Sequence, residues 1–356
     1  EGKQYDAIVT GSLIFSPDSQ RLAYVAKEGN KQFVVFDGEG GEKYNWVQSD
    51  SLIFSPDSQR LAYVTAEITS EDIIFQIAVV NGKEVGRSRE IEKGSLIFSL
   101  DSKRVAYVAM ASIGPMQRVV VDGKSEQIYD WIQSGSLIFS PDSQRVAYVA
   151  TKDNWCFVVV DGKKGTRYDD IKTGSLIFSP DSRRVAYSAK EADKQFVVID
   201  GQEGKQYDAI VTGSLIFSPD SQRLAYVAEV GDKHFVVVDG EEGKQCDGIE
   251  SAVFSPDSKQ VVYMAKEGNK QFVVFDGQED KQYDSIGTAI FSPDSRRVAY
   301  VAQVGDKQFV VVDKEEGRKY DAIVGIGWQI VFDSPDSIHY LARKGNSIFL
   351  VEEMIK

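Results

Sequence analysis

The pentad Phe-Ser-Pro-Asp-Ser, or a close copy of it, recurs nine times along this chain. Its phenylalanines stand at Phe15, Phe54, Phe98, Phe139, Phe178, Phe217, Phe254, Phe291 and Phe332, spaced 37 to 44 residues apart. Self-similarity at a period near 40 means that one supersecondary unit is copied along the chain. Such a unit cannot bury its apolar faces alone and must stack against its neighbours.

The fifth unit shows the grammar. Ser175-Leu176-Ile177-Phe178-Ser179 reads as a first strand, closed by the turn Pro180-Asp181-Ser182. Arg184-Val185-Ala186-Tyr187-Ser188 reads as a second strand and Gln195-Phe196-Val197-Val198-Ile199 as a third, rich in β-branched and aromatic residues. Asp200-Gly201 opens a tight hairpin turn, and Lys205-Gln206-Tyr207-Asp208 leads a fourth strand. No stretch has sustained helical periodicity. The third strand is apolar on both sides, so each sheet must lie between copies of itself.

Four-stranded antiparallel units of this length, stacked radially, describe an all-β propeller. Nine second-strand tyrosines (Tyr24, Tyr63, Tyr107, Tyr148, Tyr187, Tyr226, Tyr263, Tyr300 and Tyr340) imply nine blades. Eight blades with a displaced last unit is the alternative, because the ninth inserts Asp333 and shortens the following turn. The units run approximately over 10–49, 50–93, 94–134, 135–173, 174–212, 213–250, 251–287, 288–325 and 326–356 plus 1–9, in one domain spanning 1–356. The chain starts on a fourth strand, Glu1 to Ile8, and ends on a third, Ser347 to Glu352. The N-terminal strand is therefore expected to complete the ninth sheet, close the ring and hide its edges.

The Ser-Pro-Asp-Ser turn followed by Arg-Val-Ala-Tyr resembles the WD40-like repeat of TolB-type propellers, whose usual form is Ser-Pro-Asp-Gly. The likeness covers the whole chain, which departs from it in using Ser for Gly and in its uniformity. Glu1–Ala26 is identical to Glu203–Ala228, and Ala26–Gly38 to Ala265–Gly277, as recent amplification or consensus design would leave them. The resemblance implies a scaffold that binds proteins or stands beside a catalytic partner. It tilts localisation toward an extracytoplasmic compartment, which nothing else in the sequence fixes.

The 356 residues are 42% hydrophobic and 27% charged, with a net charge of −13. That acidity argues against nucleic acid and acidic membrane surfaces. No apolar run approaches the length of a membrane span. The chain begins without Met and inside a blade, as a processed protein or excised domain would. Cys156 and Cys246 occupy different places in the repeat and are not expected to pair. His234 and His339 have no ligand-spaced companions. No nucleophile elbow, phosphate loop or calcium loop appears. The expectation is a chain without catalytic residue, cofactor or metal, monomeric, with domain-swapped oligomers as a folding hazard because neighbouring blades are so alike.

Two aspartate sets recur. Those after the turn proline, such as Asp57 and Asp181, are expected to hold the turn through backbone N–H groups. Those after the fourth-strand tyrosine (Asp6, Asp130, Asp169, Asp208, Asp247, Asp284 and Asp321) are expected to brace the blade-to-blade crossing, with an acidic ring for a cation or basic partner as the alternative. The second-strand arginines are expected to pair with turn carboxylates.

Departures from the template gather on one face, formed by the loops between second and third strands and the crossings between blades. The second repeat carries its longest insertion there, Ala66 to Gln76, and the third carries Met110 to Met116. All four tryptophans fall at or beside this face. Trp46, Ile68, Ile73, Phe75, Met110, Ile113, Met116, Trp131, Trp155 and Trp328 form the candidate patch for a protein or peptide partner, since aromatic and Met side chains dominate contact energy. Drift of copied blades and local packing is the competing reading. A non-catalytic interaction module is the first expectation. An accessory domain of a larger enzyme and a channel that holds a small molecule or ion, with Ser12, Ser95, Ser136, Ser175 and Ser214 near its wall, are the alternatives.

Overall fold

The computed structural model of the chain describes residues 3–68, 74–111, 114–325 and 330–355. It divides into two compact units, Glu1–Phe178 and Ser179–Lys356. Each is built from antiparallel sheets that repeat one design.

In the first sheet the first strand is split into Ala7–Ile8 and Ile14–Phe15, both paired with the second strand Leu22–Glu28. Lys31–Phe36 pairs on the other side, followed by the short Glu39–Gly40. The split has a physical filler. The loop between the two halves turns through Gly11 at φ +77°, a conformation costly for any side chain. This removes a ladder partner from Val25, whose N–H donates to the Ser12 hydroxyl at 3.0 Å instead. That hydroxyl donates in turn to the Val9 carbonyl at 2.7 Å. Ser51, Ser95, Ser136 and Ser214 repeat the arrangement. The serines expected along a channel wall are thus ladder patches, and Ser12, Ser95, Ser136 and Ser175 are buried. In the seventh repeat the loop is deleted, and Gly248–Phe254 runs as one strand with a bulge after Ile249.

The split corrects one boundary. Ala7–Ile8, expected in the fourth strand of the ninth unit, pairs with Leu22–Glu28 and so opens the first sheet. Trp46–Val47 and Trp131–Ile132 likewise open the second and fourth sheets. The chain crosses between blades right after the fourth-strand tyrosine, and a third-strand glutamine clamps the crossing. Gln32, Gln76, Gln117, Gln195, Gln271 and Gln308 accept the N–H of Val47, Ile91, Ile132, Ile210, Ile286 and Ile323 at 2.6–3.0 Å.

Both faces of each inner strand are buried, as the sequence requires. Val25 and Val34 of the first sheet pack on Leu61, Tyr63 and Ile77 of the second. Val64, Ala78 and Val80 of the second pack on Val105, Tyr107 and Val120 of the third. In the second unit Val227 and Val236 meet Val261, Tyr263 and Phe272 in the same way.

The Ser-Pro-Asp-Ser turns lock neighbouring sheets together. Their final serine adopts φ near +60°, a conformation that favours Gly (Ser58 +63°, Ser102 +63°, Ser221 +66°). Its buried hydroxyl accepts the N–H of the preceding blade's turn aspartate: Ser58 from Asp18 at 3.1 Å, Ser102 from Asp57, Ser143 from Asp101 and Ser258 from Asp220, the last three at 2.9 Å. The turn aspartate accepts from Ser16, Ser55 and their equivalents and from the backbone two residues on, which holds its carboxyl below the usual carboxylate range. The second-strand arginine completes the lock. Arg104 donates from Nε to Asp122 at 2.9 Å and from Nη1 to the carbonyls of Ser143 and Gln144, and its guanidinium lies over the Phe139 ring.

The chain ends differ from the interior. Tyr5 stands edge-on to Tyr24 and Phe33, as Tyr207 does to Tyr226 and Phe235. In the ninth repeat the inserted Asp333 leaves only Pro335-Asp336 between the paired Ser334 and Ser337. The last strand, Ser347–Met354, pairs with Ser337–Lys344 alone among the described residues, and Ile348, Phe349 and Leu350 are exposed. Closure by pairing of the N-terminal strand with this last one is not among the described contacts.

Candidate partner-binding face

The loop between second and third strands lies beside the crossing from the preceding blade, and the second aspartate set joins them. Asp6, Asp130, Asp208, Asp247, Asp284 and Asp321 accept through Oδ2 from the loop N–H of Gly29, Asp153, Gly231, Gly268, Gly305 and Gly345, at 2.6–2.7 Å. In four of them Oδ1 also receives the lysine that starts the preceding third strand: Lys194, Lys233, Lys270 and Lys307, at 2.5–2.7 Å. The lysine and the loop N–H hold these four carboxyls below the usual carboxylate range. Both oxygens of these four are committed. They brace the crossing, and no acidic ring is left free at these positions.

The candidate patch residues fall at this end of three successive sheets of the first unit. Trp46 pairs with Ala66, and Ile68 follows two residues on, so both project from the same face of the second sheet. Trp46 is 41% exposed and Ile68 49%. Phe75 pairs with Glu67 on the opposite face and is half-buried. Beside it Arg87 bonds Glu67 and Glu84, each at 3.1 Å. Met110 and Met116 are half-buried at the corresponding end of the third sheet, where the Ser88 hydroxyl and the Met116 carbonyl tie the loop down. In the fourth sheet Trp131 pairs with Thr151 and is 50% exposed. Trp155 pairs with Lys152 on the other face, half-buried, with the Arg167 guanidinium 4.7 Å from its ring centre. Ile73, Ile113 and Trp328 lie outside the described residues.

One contributor escaped the sequence reading. Ile74 pairs with Ile68 and is 56% exposed, which adds to the apolar surface at this end of the second sheet. Its signal was the apolar pair Ile74-Phe75 at the end of the inserted segment Ala66 to Gln76, where the third strand Ile74–Val80 begins.

The remaining chemistry is local. His234 stands at the clamp position that glutamine fills in six other repeats, with Nε2 3.7 Å from Glu229. The Nδ1 of His339 lies 2.7 Å from the inserted Asp333. Cys246 is buried, which pushes its thiol up, while Cys156 is half-buried; both are free. Among the described residues no group of three His, Cys, Asp or Glu side chains is placed to hold a metal ion, and no helix is long and apolar enough to cross a membrane.

The repeating sheet, a first strand that is split in most repeats followed by antiparallel second, third and fourth strands, is the four-stranded blade expected of a β-propeller. No protein-family model and no curated protein matches the chain. Among solved structures, a eukaryotic initiation factor aligns over 100% of this chain and 92% of its own, at 13% identity and a TM-score of 0.45. TolB from Acinetobacter baumannii aligns over 75% and 77%, at 16% identity and 0.31. The β-propeller domain of the Trilobed protease from Pyrococcus furiosus aligns over 77% and 94%, at 14% identity and 0.35. At these identities and scores the likeness is one of fold type and carries no functional argument.

Proposed function

We propose that the chain is a non-catalytic scaffold that binds a protein or peptide through the hairpin-loop face of its first unit. The observation that carries this reading is the exposure of Trp46 and Trp131 at one template position, where other repeats have Ala7, Ala209, Ser285 and Ala322. A half-exposed indole at a position that accepts Ala adds nothing the blade needs, and it gives a partner a large, rigid contact. Ile68 and Ile74 extend that surface from the second sheet. The test is a paired capture with the chain and a variant carrying Trp46→Ala, Trp131→Ala, Ile68→Ser and Ile74→Thr, its folding checked by thermal melting. A partner held by the first and lost by the second supports the reading; equal capture by both refutes it.

In the same reading the nine repeats form one ring. The apolar residues exposed at the last strand, Ile348, Phe349 and Leu350, take the places of Gln195, Phe196 and Val197, which blade contacts cover elsewhere. Ser347 stands where Lys194 reaches Asp208, so in a ring it faces Asp6. Asp6→Cys with Ser347→Cys, in a Cys156→Ser, Cys246→Ser background, should cross-link within one chain through a short bifunctional maleimide. Cross-linking only between chains would refute ring closure.

A further inference from the structure

The second repeat breaks the turn-face lock at one atom. In five other repeats the second-strand arginine donates from Nε to the aspartate that opens the hairpin: Arg21 to Asp37, Arg104 to Asp122, Arg145 to Asp161, Arg184 to Asp200 and Arg223 to Asp239, at 2.7–2.9 Å. That aspartate uses its other oxygen to accept the N–H at the start of the second strand. In the second repeat Asn81 stands there. Its Oδ1 accepts the Leu61 N–H at 2.9 Å, as the aspartates do. Its Nδ2 therefore takes the place of the carboxylate oxygen that elsewhere faces the guanidinium. Arg60 still donates from Nη1 to the carbonyls of Ser102 and Lys103, at 2.6 and 2.8 Å, and lies over the Phe98 ring. Among the described residues its Nε and Nη2 donate to nothing, and it has no ion pair.

The groove beside Arg60 has the wrong charge for this protein. Between the second and third sheets lies a cavity of about 380 Å³ lined by Val80, Val85, Val105 and Tyr107, with Arg60, Lys103 and Arg104 against Asp122 alone. Asp122 is taken by Arg104, and nearby Asp57 is held by Ser55 and the Gln59 N–H. Two equivalent grooves in the second unit run the other way. One sets Arg184 and Lys205 against Asp200, Glu203 and Asp239, the other Arg297 against Asp313, Glu315, Glu316 and Glu353. This cationic groove in a chain of net charge −13 comes from the Asp-to-Asn departure at Asn81 together with Lys103, which replaces the Gln of several other repeats and lies 3.7 Å from Asp101; it leaves the Arg60 edge open to an anion.

We propose that this groove binds a small aliphatic carboxylate. The carboxylate takes the position vacated by the missing aspartate oxygen, bonded to Arg60 Nε and Nη2 and Asn81 Nδ2, with Lys103 at the rim. A guanidinium edge presents two parallel donors to a carboxylate, which is the geometry it binds best. The alkyl tail lies along Val80, Val85, Val105 and Tyr107.

The test is calorimetric titration of the full chain with hexanoate, acetate and 1-hexanol, repeated on Asn81→Asp and Arg60→Gln. Asn81→Asp restores the pairing of the other repeats and preserves the fold, which melting confirms. Hexanoate should bind one equivalent, acetate should bind at least about tenfold more weakly for lack of the tail contacts, and hexanol should show no binding. Both substitutions should weaken hexanoate about tenfold or more, as loss of a charge-assisted pair requires. Full hexanoate affinity in Asn81→Asp, or hexanol binding as tightly as hexanoate, would overturn the proposal.

Discussion

Ser102 offers a way to separate two effects that the turn combines. Its side chain is almost fully buried, its hydroxyl is the acceptor for the Asp57 N–H at 2.9 Å, and its φ is +63°. Ser102→Ala keeps the unfavourable backbone conformation and deletes the acceptor. The orphaned N–H of Asp57 then costs about 1–3 kcal/mol. Ser102→Gly deletes the same acceptor but relieves about 1–2 kcal/mol of left-handed strain. Against that relief stands about 0.4–1 kcal/mol of extra chain entropy in the unfolded state. The expected order of stability is Ser, then Gly, then Ala, with Gly about 0.5–1 kcal/mol above Ala. Urea unfolding followed by tryptophan fluorescence reads this in the first unit, which holds Trp46, Trp131 and Trp155. A Gly midpoint below that of Ala would show that the left-handed turn is unstrained, because only the entropy cost of Gly would then remain. A Ser102→Ala midpoint matching the parent would show that the inter-blade bond contributes nothing, and the account of why this repeat uses Ser would fail.

Three further outcomes follow from the same contacts. Gln117→Leu should destabilise the first unit by about 1–3 kcal/mol, because the Ile132 N–H it receives at 2.7 Å is buried and has no other acceptor there; an unchanged urea midpoint would contradict the clamp. Cys246→Tyr restores the template residue that elsewhere meets the next blade's tyrosine edge-on at about 6 Å, as Tyr207 does Tyr226. It should therefore raise stability by about 1 kcal/mol in a thermal melt, and a loss would mean that the site has closed around the smaller side chain. Asp208, Asp247, Asp284 and Asp321 have folded pKa values below their unfolded ones, so their contribution is complete above about pH 4 and is lost as pH falls through the folded values. Melting temperature should be level from about pH 5 to 7 and drop below 4, less steeply in Asp208→Asn; a drop already at pH 5 would point to other groups.

The repeat, the strand count per unit and the two-faced burial of the third strand were legible because they follow from composition at a fixed period. The bracing role of the second aspartate set was legible too, since a short carboxylate beside a loop has few other uses. The split first strand was not. Ala7–Ile8 and Trp46–Val47 are two-residue ladders, too short for any alternation to show which strand they join. They directly follow the fourth-strand tyrosine and so read as its continuation. The site was less affected: Trp46 and Trp131 were legible as residues at this face, and as first-strand residues paired with Ala66 and Thr151 they project from the open end of their sheets. Ile74 was missed for a related reason, since it lies within the inserted segment, whose sequence does not show the register that pairs it with Ile68.

In a chain of near-identical blades, most side chains are already spoken for by the next copy, and a free group arises where one copy departs from the template. The departures differ in what they release. Cys246 releases space, which packing can absorb. Trp46 and Trp131 add apolar surface at positions where Ala suffices, which water tolerates in small amounts. Asn81 leaves a guanidinium edge facing an amide where six repeats supply a carboxylate, and no rearrangement of the blade brings in the missing charge, because Asp122 and Asp57 already serve their own partners. Packing therefore relaxes the first kind of departure and solvent the second. The third stays an unmet electrostatic demand until an anion arrives, and it is the one whose reversal by a single residue, Asn81→Asp, leaves every other contact of the blade in place.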